Sequence, residues 1–405
     1  MSTQSLLCRP TLRALLGVQL LTALADNALV IVALALLAER GAPVWMDPSL
    51  RIALYLSYVL LAPLAGMLAD ALPKGRLIVL VNLVKLGGCV LLAAHVHPLF
   101  AFVAIGLAGV CYGPAKYGIL TELIPNADLV RANAWIEIVT VAAMLGGPLL
   151  GSSLLGLPLW TDSLRTIARQ ASLVIASLCA LASLSAAAIP ATSASTAPRS
   201  HPLRQFKHQL AALWRDPQAR ISIAVTTLFW AVAAVLQFLV LRWAGTVLKL
   251  SLSGAAVLLC CLAAGVAAGS LLAARYVAAT EALRVLPVGI VLGLCILLTG
   301  QVSTPWVAGC ALCVTGIVGG LLMVPMNALL QQRGAALMTP GVSIAVQGFS
   351  ENLGSLVLLV VYGLLLAARV QVVTIIAGFG ILVTASMLLI QRHRSMAPPR
   401  LLTGK

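Results

Sequence analysis

Charged side chains are scarce in this chain. Only 9% of its 405 residues are charged, whereas 61% are hydrophobic. Soluble globular domains carry about 25% charged residues. A soluble fold of this length could not keep so much apolar surface away from water, but a lipid bilayer can. The composition therefore excludes a soluble protein and predicts an integral membrane protein.

Motifs of soluble enzymes are also missing. The sequence has no Walker P-loop, so no ATP site is expected. None of its five histidines stands near cysteines at a spacing typical of zinc sites. Cys310 and Cys313 form a C-x-x-C pair without a second pair, which indicates packing inside an apolar run. We therefore expect no metal, no cofactor and no enzymatic activity.

Apolar runs divide the chain into about twelve segments, each long enough to cross a bilayer. Because the runs are continuously apolar and do not alternate, they predict helices, not a β-barrel. The expected fold is an all-α membrane protein with spans at 12–38, 50–70, 76–94, 98–119, 132–156, 167–189, 220–242, 252–274, 283–302, 305–331, 342–367 and 370–391.

A polar, basic link separates two sets of six spans. The predicted organisation is an N-terminal half at 1–189, a link at 190–219, a C-terminal half at 220–391 and a tail at 392–405. The net charge is +15, and the cations lie between apolar runs, so we expect them to set topology and not to bind nucleic acid. Their distribution predicts that both termini and the link are cytoplasmic.

Polar pairs at matching positions indicate that the halves are repeats. Asn133 and Glu137 lie four residues apart in the fifth span, and Gln347 and Glu351 repeat this spacing in the eleventh. Residues four apart share one helical face. Two related six-helix halves are typical of the major facilitator architecture.

The turn after the second span carries a further signature. Gly66, Asp70, Lys74 and Arg76 resemble the Gly-x-x-x-Asp…Gly-Arg motif of major facilitator proteins, although the spacing here is longer. A carboxylate at a helix end that faces basic residues of a turn can latch neighbouring helices. We therefore predict a conformational latch formed by Asp70, Lys74 and Arg76.

Ionisable groups inside spans are the candidates for substrate binding or gating. Each costs at least about 2.5–3.5 kcal/mol when it faces lipid, so such groups usually face the bundle interior or a wet cavity. The candidates are Asp26, Asn27, Lys116, Glu137, Gln237, Asn327, Gln347, Glu351 and Asn352. Hydrogen bonding between helices is the alternative role for the amide–carboxylate pairs and for Asp26–Asn27.

Two lysines leave more than one interpretation open. Lys116 could reach inward from a helix bent at Gly113 and Pro114, with Asp26 as its most attractive partner, or it could snorkel to the interface. Lys85 could snorkel or pair with an acid, and a structural role is favoured. Gln331, with Asn327 after Pro325, is a candidate to line the cavity.

Five segments together resemble the bacterial lysophospholipid transporter branch of the major facilitator superfamily. They are ALADNALVIVALALL (23–37), YGPAKYGILTEL (112–123), LVRANAWIE (129–137), PMNALLQQRG (325–334) and AVQGFSEN (345–352). The resemblance covers nearly the whole chain and identifies Asp26, Lys116 and Glu351 with charged intramembrane residues of the family. It departs at Gln237, where the family has an arginine, and Arg242 is a possible replacement.

The resemblance implies a substrate and a partner. Family members resemble flippases that carry 2-acyl-glycerophosphoethanolamine and related lysophospholipids to the inner leaflet of the bacterial inner membrane, without ATP. An acyl-ACP synthetase/2-acylglycerophosphoethanolamine acyltransferase then restores the second chain. Two other hypotheses stay open: a proton-coupled drug or metabolite exporter of the same fold, and a membrane scaffold for the acyltransferase.

Overall fold

Helices make up almost all of the protein. The computed structural model describes residues 10–41, 46–156, 164–190 and 202–396. The first six helices are α1 (Pro10–Glu39), α2 (Met46–Ala71), α3 (Lys74–Ala93), α4 (Pro98–Leu123), α5 (Leu129–Gly156) and α6 (Leu164–Ala187). They are followed by α7 (Pro202–Arg215), α8 (Pro217–Thr246), α9 (Leu252–Tyr276), α10 (Leu286–Thr299), α11 (Pro305–Leu337), α12 (Pro340–Ala367) and α13 (Val372–Met396).

Twelve helices in the described part of the chain are long and apolar enough to cross a membrane. They are α1–α6 and α8–α13. The span that contains α10 also includes most of a short 3-10 segment, Ala279–Val285, which directly precedes that helix. The prediction of an all-α membrane protein with twelve spans is therefore confirmed. The exception is α7, whose 14 residues fall short of the about 20 that a span requires.

Polar caps and prolines mark where several helices begin. Asp216 accepts hydrogen bonds from the backbone N–H groups of Gln218 and Ala219, and Pro217 occupies the first helical position of α8. Proline is favoured there because its missing N–H has no partner inside the helix. Ser251 caps α9 in the same way by accepting from Gly254 N. These local signals separate apolar runs that lie close together in the sequence.

The helices form two compact units. The first contains residues 1–124, 139–209 and 338–349, and the second contains 125–138, 210–337 and 350–405. In the first unit, α3 packs on α4 and α6, α1 packs on α6, and α2 packs on α4. The predicted domain boundaries at the link stay a prediction.

The second unit repeats this packing. Within it, α10 packs on α11 and α13, α8 packs on α13, and α9 packs on α11. If each set of six spans is counted from its own first helix, both units pair the third helix with the fourth and sixth, the first with the sixth, and the second with the fourth. The internal repeat that the polar pairs indicated is therefore present in the fold.

Glycines bring α9 and α11 into backbone contact. A Cβ atom added to Gly265 or Gly269 of α9 would collide with the carbonyl groups of Cys313 or Ile317 of α11. Gly316 and Gly320 of α11 face carbonyl groups of α9 in the same way. Small residues allow membrane helices to approach this closely. We call these four glycines the glycine seam.

Candidate functional site

An ion pair joins α1 and α3 inside the spans. Lys85 Nζ lies 2.6 Å from Asp26 Oδ2, and the Lys85 side chain is 4% exposed whereas that of Asp26 is 40% exposed. A carboxylate and an ammonium at membrane depth are each costly alone, and pairing offsets much of that cost. The arrangement places a buried cation behind a carboxylate that stays accessible.

This pairing corrects one prediction. Lys116 was expected to be the partner of Asp26, but the carboxylate of Asp26 bonds to Lys85. The sequence placed both lysines in spans, but it could not show which of them lies beside α1. Lys85, for which pairing with an acid was one of the open interpretations, is thus the direct partner of a candidate site residue.

Tyr112 connects the two lysines. Its ring centroid lies 5.3 Å from Lys85 Nζ and 5.5 Å from Lys116 Nζ, while Lys116 Nζ is 4.3 Å from the ring of Tyr117. An aromatic face attracts a cation within about 6 Å. Lys116 is buried, so it does not snorkel as the alternative interpretation suggested. We call Asp26, Lys85, Tyr112 and Lys116 the charged cluster.

Hydrogen bonds hold the helices around the charged cluster. The Tyr112 hydroxyl donates to Gln19 Oε1 at 3.0 Å, and Gln19 Nε2 donates to Thr140 Oγ1 at 2.7 Å. One turn along α1, the Thr22 hydroxyl donates to Asn82 Oδ1 at 3.0 Å. Because these bonds run from α1 to α3, α4 and α5, they fix the positions from which the charged side chains project.

Asn27 lies against another helix. Its side-chain amide donates to Ala23 O at 2.8 Å, inside α1. A Cβ atom added to Gly147 of α5 would come within 3.0 Å of Leu24 O and would also meet Asn27 Cβ. This geometry favours the packing role that the sequence left open for Asn27.

Asp70 binds the start of α12. Its carboxylate accepts hydrogen bonds from Gly341 N at 2.9 Å, Val342 N at 3.2 Å and the Thr339 hydroxyl at 2.5 Å. A helix N-terminus carries about half a positive charge, so a buried carboxylate is favourable there. Close packing leaves little room, since a Cβ atom at Gly341 would lie 2.6 Å from Asp70 Oδ1. The carboxylate of Asp70 therefore connects the end of α2 to the start of α12.

The basic part of the predicted latch has a separate partner. Lys74, 1% exposed, lies 2.5 Å from Glu122 Oε1 at the end of α4. Its side chain fills the space beside Gly118, where a Cβ atom would come within 2.6 Å of Lys74 Cε. Arg76 is exposed. Asp70 thus ties α2 to α12, and Lys74 ties α3 to α4. Glu122 takes part in this arrangement, although the sequence did not single it out.

An amide cluster joins the start of α5 to α11. Asn133 Oδ1 accepts from Asn327 Nδ2 at 3.0 Å and from Gln331 Nε2 at 2.9 Å, and Asn133 Nδ2 donates to Gln331 Oε1 at 2.8 Å. All three side chains are buried, and Gln331 has no exposed surface. Buried amides that satisfy one another link the helices. For Asn327 and Gln331, the cavity-lining role stays a prediction.

The other candidates keep positions inside their spans. Glu137, Gln237, Glu351 and Asn352 are partly buried, and Gln347 is buried. In α5 the chain passes from the second unit to the first directly after Ile138, and in α12 it passes from the first to the second after Phe349. Both repeated polar pairs therefore lie at the point where their helix changes unit.

Metal ligands do not gather in the described residues. No group of three or more His, Cys, Asp or Glu side chains there could hold a metal ion. The charged cluster itself offers one carboxylate, two ammonium groups and an aromatic ring. These groups can bind a polar group electrostatically.

Comparison with known proteins identifies the family. The model of the Major Facilitator Superfamily matches residues 15–357. The lysophospholipid transporter LplT of Photorhabdus laumondii is 34% identical over 381 residues, which cover 93% of this chain and 94% of that protein. LplT of Escherichia coli O157:H7 is 33% identical over 395 residues, with 94% and 96% covered.

A solved structure confirms the fold. The E. coli fucose:proton symporter FucP superposes with a TM-score of 0.77 over 95% of this chain and 98% of that chain, at 14% sequence identity. An identity this low supports the architecture alone. The sequence matches over most of the chain show the family. The protein is a multi-pass membrane protein that belongs to the Major Facilitator Superfamily, in the family of these LplT relatives.

Proposed function

We propose that the protein transports lysophospholipids across the bacterial inner membrane, from the outer to the inner leaflet. The observation that carries this proposal is the Asp26–Lys85 ion pair, which keeps two opposite charges among apolar helices with the carboxylate accessible. The names and full-length similarity of the LplT relatives support the same substrate class.

The charged cluster suits the headgroup of such a lipid. A lysophospholipid carries a phosphodiester and, in the ethanolamine form, an ammonium group. When the Asp26–Lys85 pair opens, Lys85 can bind the phosphate and Asp26 can accept hydrogen bonds from the ammonium. Exchange of one ion pair for two others keeps every charge compensated, which limits the free energy needed to bring the headgroup to membrane depth.

Transport then requires two faces to open in turn. In this proposal the acyl chain follows the apolar helix surfaces while the headgroup passes the charged cluster. Asp70 at the start of α12 and the amide cluster at the start of α5 close helix ends that must separate for release. The contacts are hydrogen bonds, so they can break and re-form without ATP.

Topology and partner complete the proposal. Both termini and the link with α7 lie in the cytoplasm, because cations are concentrated in those segments. An acyl-ACP synthetase/2-acylglycerophosphoethanolamine acyltransferase on that side consumes the delivered lysophospholipid. Removal of the product by acylation gives the transport its direction.

The test is a transport assay in vesicles that contain only the purified protein. Labelled lysophosphatidylethanolamine is supplied to the outer leaflet, and its arrival in the inner leaflet is followed with and without a pH gradient. We expect uptake by the wild type without a gradient and sharply reduced uptake by Asp26→Asn. Glu281→Gln, which removes a surface carboxylate paired with Arg284, is the control.

Two results would contradict the proposal. Normal uptake by Asp26→Asn would end the role assigned to that carboxylate. Failure of the wild type to move any lysophospholipid, together with gradient-driven movement of another solute, would favour the proton-coupled exporter.

A further inference from the structure

The helix in the link, α7, has one face buried against the protein. Phe206 packs edge-to-face on Phe349 of α12, with ring centroids 5.4 Å apart. Leu213, two turns later on the same side, is completely buried. The helix is therefore not a free connector, and its orientation about its own axis is fixed.

The opposite face combines apolar and basic side chains. Leu203 is 66% exposed and Trp214 is 40% exposed, and Lys207 is exposed beside them. At 3.6 residues per turn these three lie within about 40° of one another around the axis. The exposed side chains of Arg204, His208 and Arg215 follow further around the helix. The exposed face therefore runs from an apolar edge to a basic centre.

Among the residues that the structure describes, no carboxylate pairs with the cations of this face. The sequence of α7 contains no Asp or Glu. Asp216, which follows it directly, is bound to Arg333. In the described part of the chain, Arg204, Lys207 and Arg215 form no ion pair. The face thus presents positive charge that an anionic surface can compensate.

The position of α7 in the chain places it at the bilayer. Only Asp216 separates its last residue, Arg215, from Pro217, where the spanning helix α8 begins. Trp214 lies at this end, and tryptophan is enriched where the acyl chains meet the headgroups. An amphipathic helix with tryptophan or leucine at its apolar edge and cations beside them is typical of a helix that lies in the membrane interface.

We propose that the exposed face of α7, formed by Leu203, Arg204, Lys207, Trp214 and Arg215, binds anionic phospholipid headgroups of the adjoining leaflet. Leu203 and Trp214 enter the boundary of the acyl chains, and the three cations contact phosphates. An acidic soluble protein would suit the cations, but it would leave the apolar edge beside the bilayer unexplained. This inference concerns the lipid around the protein and does not depend on the transported substrate.

Lipid retention tests the proposal. The full chain is reconstituted with equal amounts of phosphatidylethanolamine and phosphatidylglycerol, extracted in mild detergent, and its bound lipids are quantified by mass spectrometry. We expect the wild type to retain phosphatidylglycerol preferentially. The triple variant Arg204→Gln/Lys207→Gln/Arg215→Gln should lose this preference by at least about fivefold, the effect of one cation near a membrane surface.

A matched control removes the same charge elsewhere. Arg169→Gln/Lys249→Gln/Arg369→Gln neutralises three exposed cations, of which Arg169 and Lys249 lie at the far ends of α6 and α8 from the link. It should retain phosphatidylglycerol like the wild type. Equal losses in both triple variants, or no loss in either, would overturn the proposal. No lysophospholipid is present, so a negative transport assay would leave this result intact.

Fluorescence tests the apolar edge independently. The emission of Trp214 is taken as the difference between the wild type and Trp214→Phe in vesicles with brominated lipids. Brominated phosphatidylglycerol should quench it more strongly than brominated phosphatidylcholine. A Trp214 signal that neither lipid quenches would show that the face is covered by something other than the bilayer and would overturn the proposal.

Discussion

Unequal exposure of Asp26 and Lys85 predicts unequal consequences when either charge is removed. Asp26→Asn leaves the ammonium of Lys85 buried, with 4% of its side chain exposed and only the Tyr112 ring nearby as compensation. Loss of one partner from a buried ion pair costs about 3–5 kcal/mol. In a desolvated site such as this one, the ring offsets about 2 kcal/mol of this. We therefore expect Asp26→Asn to lower the free energy of unfolding by about 2 kcal/mol.

Lys85→Gln has a milder effect. The carboxylate left behind is 40% exposed, so water can solvate it. Ion pairs with this much exposure contribute about 1 kcal/mol or less to the free energy of unfolding. In the double variant Asp26→Asn/Lys85→Gln no charge is left unpaired, and the two amides can bond to each other. Its cost should be about 1 kcal/mol, well below the sum of the single variants.

Thermal unfolding of the purified variants measures these differences. For domains of about the size of one half, 1 kcal/mol corresponds to about 2–4 °C in the midpoint. The two single variants should therefore differ by about 2–4 °C, with Asp26→Asn the less stable. Equal midpoints, a less stable Lys85→Gln, or additive losses in the double variant would refute the reasoning from exposure.

The double variant also separates stability from transport. If the ion pair only holds α1 against α3, restoring stability should restore lysophospholipid uptake. If the charges bind the headgroup, the double variant should fold well and still fail to transport. Uptake per folded molecule therefore decides between the structural and the functional role.

Three further predictions concern the contacts that hold helix ends and seams together. Asp70→Ala should lower the free energy of unfolding by about 2 kcal/mol through loss of the cap on α12, and Asp70→Asn by less, as the shift in thermal midpoint shows. Burial raises the pKa of Asp216, but the hydrogen bond from Arg333 and those from backbone N–H groups outweigh it and leave the pKa below the usual 3.8. The stabilisation of the fold by the Asp216 carboxylate is therefore complete above about pH 3.8 and is lost as the pH falls through the lower folded-state pKa. Asp216→Asn should accordingly lose less thermal stability on acidification than the wild type does. Gly316→Val should cost about 1–3 kcal/mol because its side chain meets the backbone of α9, whereas Gly363→Val, with nothing within 4 Å of the added Cβ, should match the wild type in the same melting experiment.

The spans were predictable because hydrophobicity alone defines them. The predicted 12–38 and 342–367 correspond to Pro10–Glu39 and Pro340–Ala367. The helix α7 was not foreseen, because its apolar residues recur with the helical period over only 14 residues and never form a long run. A search for short amphipathic periods in the link would have found it.

The polar residues at membrane depth were also predictable, but their partners were not. A charged residue stands out in an apolar run whatever its neighbours are, so Asp26, Lys85 and Lys116 were all visible in the sequence. Which lysine pairs with Asp26 depends on how α1, α3 and α4 pack. The repeat of Asn133 with Glu137 and Gln347 with Glu351 did predict related halves, since helix positions in a repeat are inherited together.

The glycine seam has a consequence for any experiment that follows the protein through its transport cycle. Where two helices touch through their main chains, there are no side-chain torsions between them that could rearrange. We expect α9 and α11 to keep a constant separation in every state that the protein visits. A pair of spectroscopic labels on these two helices would serve as an internal ruler, against which distance changes elsewhere in the molecule can be calibrated.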